Sequence, residues 1–563
     1  MNSKAYVNYE KFGALGDGVT NDFAAIKAAH DFANENGLPV RTDPSKTYYI
    51  SDTRIDGCVE SIRIRTNTDW SDTHFIIDDT NYCSSDGTGI SSKHVFTVES
   101  DYPEEVICDE EILSRLYGIG EGTKKLDLAL GYPALLFVYD ENKHVYGRSG
   151  ASFKNGAQAL GPTMHEAILV DGDGNVDEST PFIFNYETVT KIEVIRCDIT
   201  PITVEGGIFT TRASHGPGRY TDADGNLKKN GYVARGLRVN RSFTTLKNIK
   251  HYVEGEITTK EQAEGKLGAH YHGFFAAYRA NEVVIDSCVL TGRRYYKVSG
   301  TYDFTANEVN IIRLINCTQS NFRMKDEEGR EVYSMSISPL TGTRYCWGIG
   351  GTNFCKNMEY INCRLSRFDA HRGLMNGKII NSEINFIALT GKGKFEIENV
   401  DWYAVGETIT NNAFIYLRGD YGSTWEDEIS IKNVRATPVD KDFYFMYHSY
   451  SNFVYGHKCC VPDLVIDNFE LVGRGKGEKI KIMDENRSVL KEPNLHLDTV
   501  VNIPKMEDDG TADYKNYNPI RPPRYIKVKN DPYGYSYIIS DSDFYRETKT
   551  EGVTVVSKED YNN

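Results

Sequence analysis

Apolar and polar residues alternate in short runs along most of this chain, the period of a β-strand with one buried face. One such run recurs. Segments 283–290, 311–317, 358–365, 378–384, 395–400, 429–434 and 464–469 each carry an alternating apolar stretch, a small or polar residue, and a second short apolar stretch. The anchor residue is Ser287 in the first, then Asn316, Asn362, Asn381, Asn399, Asn433 and Asn468. Successive anchors stand 29, 46, 19, 18, 34 and 35 residues apart. The short spacings suit one coil of a β-solenoid; the long ones suit one coil with an inserted loop, or two coils. Weaker copies end at Cys197 and Ile249. Equivalent positions of a parallel solenoid stack, so each asparagine is expected to hydrogen-bond the one in the next coil while the adjacent Cys or Val fills the interior.

At the N-terminus, Phe12, Gly13, Ala14, Gly16, Asp17, Gly18 and Asp22 form an F-G-A-x-G-D-G-x-x-x-D word. A helical pattern follows over 23–33, with Asp22 as the expected N-cap, and a Y-x-I strand at Tyr48–Ile50. In these residues the chain resembles the pectate-lyase-like right-handed parallel β-helix superfamily. The resemblance implies an all-β solenoid that opens with a capping helix. A break in the strand pattern and a Pro- and Tyr-rich tail divide the chain into the capping helix and first coils (1–100), an inserted β-subdomain (101–187), the coil core (188–490) and a C-terminal cap (491–563). Hydrolases, lyases, epimerases and phage tail spikes share this fold, so it does not choose among them; it also allows a homotrimer. Asp17 and Asp22 read as turn and cap residues. Two motifs, 171–175 and 222–226, have carboxylates at calcium-loop spacing, but Val176 and Leu227 stand where such a loop needs glycine. They read as hairpin turns. No cofactor is expected, calcium being the alternative.

Function in a β-helix belongs on an outer face, where stacked strands line a groove for an extended polymer. The strands that precede the anchors carry His270, His272, Lys297, Asp303, Arg344, Tyr345, Trp347, Asp369, His371, Arg372 and Arg418. Alternation turns Phe368 and Ala370 inward and Asp369 and His371 outward; His270 and His272 share a face. Abstracting H5 of a uronate needs a base, a cation for the carboxylate and an acid for the leaving oxygen. His371 or His272, then Arg344, Arg372 or Lys297, then Tyr345 supply these types. Residues 366–371 resemble the Y-G-F-D-P-H word of alginate C5-epimerases and related lyases: Phe368, Asp369 and His371 match, while Ser366, Arg367 and Ala370 depart. That resemblance implies His371 and Asp369 as catalytic, with Lys297 as the upstream lysine; Tyr345 and Arg344, from the chemical reading, complete the expected catalytic set. His270, His272, Arg372, Asp303, Trp347 and Arg418 would bind substrate. A glycoside hydrolase is the alternative, with Asp369 paired to Asp303 or Asp420. A tail-spike-like glycan binder is the third reading.

Composition narrows the partners. The 563 residues carry a net charge of -16, against nucleic-acid binding. No run of about 18 apolar residues suggests a membrane span, and residues 1–12 show no secretory pattern. Arg293, Arg294, Lys297, Arg323, Lys325, Arg344, Arg367 and Arg372 cluster nonetheless, so a polysaccharide or oligosaccharide, acidic sugars included, is the expected partner. Aromatics make up 12% and glycines number 49, which suits a turn-rich β protein. The eleven cysteines show no zinc spacing and read as buried thiols.

Overall fold

The computed structural model describes residues 5–78, 93–147, 161–212, 219–221, 227–229, 232–255, 270–271, 273–292, 302–325, 328–333, 350–405, 413–418, 421, 425–439, 443–448, 459–477, 479–481, 520–521 and 526–538. The chain divides into two compact units. The first comprises Met1–Pro103, Cys197–Gly351 and Asn362–Ser366; the second comprises Glu104–Arg196, Thr352–Ile361 and Arg367–Asn563. Both are built of coils of a right-handed parallel β-helix.

In the first unit, strands stack in register through Thr47, His74, Ile208, Lys250, Val289, Thr318 and Arg364. A second face stacks Ile62, Phe96, Leu237, Phe275 and Phe304, all buried. Many of the aromatics are inside: Phe75 and Phe209 stack at 4.6 Å, and Trp70 meets both edge-on. The N-terminal helix, Phe23–Asn36, buries Phe23, Ile26, Ala29, His30 and Ala33. Asp22 occupies its N-cap position without capping it. Its carboxylate instead accepts from the backbone N–H of Leu15 (2.7 Å) and Gly16 (3.2 Å), closing the glycine-rich word on itself. Asp17 holds Val19 and Thr20 in the turn that follows.

In the second unit, Phe395, Ile429, Leu464 and Ile526 form one inward column, and Ile379, Ile397, Ile431, Ile466 and Val528 another. Within the segment expected as a cap, Ile526–Val528 thus adds a parallel strand to the stack. Glu105–Ile107, Lys191–Arg196, Ala134–His144 and Thr163–Val170 form a separate four-stranded antiparallel sheet, which reaches beyond the expected boundary at 187. Glu166 of that sheet meets Lys356 at 2.8 Å, both side chains 2% exposed, and also accepts from the N–H groups of Ile183 and Phe184.

The anchors are corners. Ser287 and all six anchor asparagines have φ between 50° and 60°, the left-handed region that asparagine tolerates better than most residues. Their amides also bond coil to coil. Asn362 donates to Asn316 (3.2 Å) in the first unit; Asn399 donates to Asn381 (2.9 Å), Asn433 to Asn399 (3.0 Å) and Asn468 to Asn433 (3.0 Å) in the second. Beside them Cys317 and Cys363 are buried and donate their thiols to carbonyls of the preceding coil.

Candidate functional site

Lys297, Arg344, Tyr345, Trp347, His272 and Asp420 lie outside the described residues, and His270 is described only as backbone of the strand His270–Tyr271. The remaining candidates fall into two separate groups. Asp369, His371, Arg372 and Arg418 come together in the second unit; Asp303 is in the first.

The second-unit group rests on the strand Arg364–Arg372. Phe368 is fully buried, edge-on to Tyr360 and Phe395, so alternation places Arg367, Asp369 and His371 on the outer face. Likewise Ile415 and Leu417 are fully buried, which turns Tyr416 and Arg418 outward. Asp369 is nonetheless not an open carboxylate. It is 0% exposed, covered by Arg367, with which it pairs, and by Arg418, whose Nη1 donates to Oδ1 and Oδ2 at 3.0 and 2.8 Å. Burial alone would raise its pKa, but Arg367, Arg418 and nearby His371 outweigh that and bring it to about 2. A carboxyl so acidic is ionised at neutral pH and has no proton to donate. Its position is that of an anchor for the two arginines.

Beyond this anchor, His371 and Arg372 are both half-buried and both touch Tyr421, a residue the sequence did not suggest. The His371 and Tyr421 rings meet edge-on at 5.1 Å; Arg372 lies over the same ring at 4.7 Å and donates from Nη2 to its hydroxyl at 3.2 Å. Gly373 follows with φ 66°, and a Cβ there would approach the Tyr146 ring to 2.6 Å. Alongside, Tyr416 stacks on Tyr447 of the next coil at 5.9 Å and 25°.

In the first unit, Asp303 is 5% exposed and engages His251, another residue absent from the expected set. The imidazole Nδ1 stands 2.8 Å from Oδ1 and 3.0 Å from Oδ2 of Asp303; Nε2 stands 2.9 Å from Thr211 Oγ1. His251 was hidden because its strand reads as an ordinary alternating run with the ring on the inward side.

At the turn 171–175, Asp171 accepts from the N–H of Asp173 and Asn175 and from the Asn175 amide, so its carboxylate points into its own loop. The motif at 222–226 lies outside the described residues. Among the described residues no three His, Cys, Asp or Glu side chains are grouped to hold a metal, and no helix is long and apolar enough to cross a membrane.

No family model and no curated protein matches the chain. Solved structures similar to it include a tailspike of Acinetobacter baumannii bacteriophage AP22 in complex with capsular saccharide (10% identity, 98% of this chain and 79% of that one, TM-score 0.47). A Pseudomonas phage phi297 tailspike matches at 12% identity over 85% and 80% (TM-score 0.42). The endo-xylogalacturonan hydrolase of Aspergillus tubingensis matches at 9% over 98% and 99% (TM-score 0.36). The ligands and activities in those names belong to those proteins.

Proposed function

We propose that the chain acts on an acidic polysaccharide along the outer face of the second unit, as a lyase or C5-epimerase. The contact of His371 and Arg372 with one tyrosine, beside an ionised Asp369 that anchors Arg418, carries this reading. Arg372, oriented by Tyr421, binds the uronate carboxylate and steadies it as the α-carbon loses its proton. His371 is the base that takes that proton. Tyr416 with Tyr447 offers sugar rings an aromatic surface. Glycoside hydrolysis needs a protonated carboxylic acid, a part Asp369 does not fill.

The test is a panel of acidic polysaccharides, followed by absorbance of the unsaturated uronate and by new reducing ends. Both signals rising supports a lyase. Reducing ends alone would replace this reading with a hydrolase. If neither rises, exchange of H5 with deuterated solvent marks an epimerase, and its absence leaves a binder. His371→Ala should lower turnover by about a hundredfold or more in a protein with unchanged secondary structure; full activity would remove His371 from the site.

A further inference from the structure

The inward column containing His251 is otherwise mostly apolar. In order it runs Tyr48, Phe75, Phe209, His251, Leu290 and Gln319. Gln319 is satisfied by the backbone N–H of Ser366 and by Asn321. His251 is different, because both ring nitrogens face side chains that complete a relay. An imidazole inside a packed column, with a buried carboxylate against it, costs stability unless the two satisfy each other.

We propose that Thr211, His251 and Asp303 form a hydrolytic site that removes small acyl groups from ester substrates. The carboxylate on Nδ1 holds the proton there and leaves Nε2 as the acceptor for the Thr211 hydroxyl. The carboxylate is itself fixed, since Oδ2 accepts from the Thr291 N–H at 2.7 Å. Phe274 stacks parallel to the imidazole at 4.1 Å and 11°, setting the ring plane. These groups line a cavity of about 30 Å³ whose half-buried members are Val253 and Tyr302 and whose wall includes the Arg235 cation. That volume takes about one water, so only a group as small as an acetyl carbonyl fits.

In the reaction, Thr211 Oγ bonds to the acyl carbon as its proton passes to His251 Nε2. The carbon–oxygen bond to the alcohol then breaks, and the alcohol leaves with that proton. Water repeats the sequence on the acyl-threonine, giving the carboxylic acid and free Thr211. This site does not depend on what the Arg372 face binds.

The experiment uses the full chain with p-nitrophenyl acetate, against Thr211→Val, Thr211→Ser and Asp303→Asn, each checked for an unchanged melting curve. Thr211→Val, which keeps the shape and loses the hydroxyl, should fall to the rate of reactive surface groups. Thr211→Ser should retain hydrolysis, and Asp303→Asn should lose about a hundredfold or more. Mass spectrometry of the quenched wild type should show one acetyl group on Thr211, and the butyrate ester should react at least about tenfold more slowly. Wild-type hydrolysis no faster than Thr211→Val, or an adduct confined to other residues, would overturn the proposal. Should Thr211→Val or Asp303→Asn unfold, the adduct position and the acetate-to-butyrate ratio of the wild type decide it.

Discussion

Asp369 shows how a residue in an expected catalytic word takes a different part once its neighbours are known. Alternation puts it on the outer side, yet Arg367 and Arg418 cover it, and its charge is what they are built on. Its pKa lies near 2, below the ordinary 3.8, so the ionised form favours the folded state. That contribution, roughly 2 kcal/mol, is fully present above pH about 4 and is lost as pH falls through about 2. Asp369→Asn should therefore lower stability at pH 7 and remove part of the acid sensitivity of the wild type in urea unfolding at pH 2–5. A wild type and variant with parallel pH profiles would contradict the ion pairing. Of the partners of Asp369, Arg367 stands two residues away on the same face, but Arg418 was not legible from local sequence because it is 49 residues away, and the His251–Asp303 pair spans 52. Such pairs follow from coil register, which loops of unequal length conceal.

At the scale of the coil corner the sequence was far more legible. A left-handed residue at the same place in each coil restricts the choice of side chain, so the constraint leaves a visible word: Asn316, Asn362, Asn381, Asn399, Asn433 and Asn468. Their stacking was expected; the backbone conformation that makes asparagine suitable was not. Asn433 tests both parts, since it donates to Asn399 and accepts from Asn468. Asn433→Ala should cost about 1–2 kcal/mol from a left-handed alanine and two exposed hydrogen bonds. Asn433→Gly keeps the backbone freedom and should cost less. Denaturant midpoints for the two variants decide it: an alanine variant as stable as the glycine one would show that the corner conformation contributes nothing. The N-terminal word was legible as a turn, but the part of Asp22 was not, because the N–H groups of Leu15 and Gly16 compete for the same carboxylate as the helix end.

At the scale of whole units, the charge of -16 describes no local surface. Cations gather on one outer face of the second unit, while another cation, Lys356, is buried against Glu166. Burial pushes the Lys356 ammonium down from its usual pKa, and Glu166 pulls the other way. Removing one partner leaves the other charged in an apolar setting, so Glu166→Gln should destabilise the second unit by about 3–5 kcal/mol. Adding Lys356→Met should recover part of that loss in the same urea titration; a double variant no more stable than the single one would contradict the pairing.

The asparagine corners also bear on how such a chain can grow. From Asn381 through Asn468 each corner brings its own bend and bonds to the corner next to it in the stack, and the shortest repeat, from Asn381 to Asn399, is 18 residues. A tandem duplication of that stretch would deliver a complete rung whose amide finds a donor on one side and an acceptor on the other. Lengthening by whole rungs therefore requires no compensating change elsewhere, and the history of a molecule of this kind can be written in copies rather than in point substitutions.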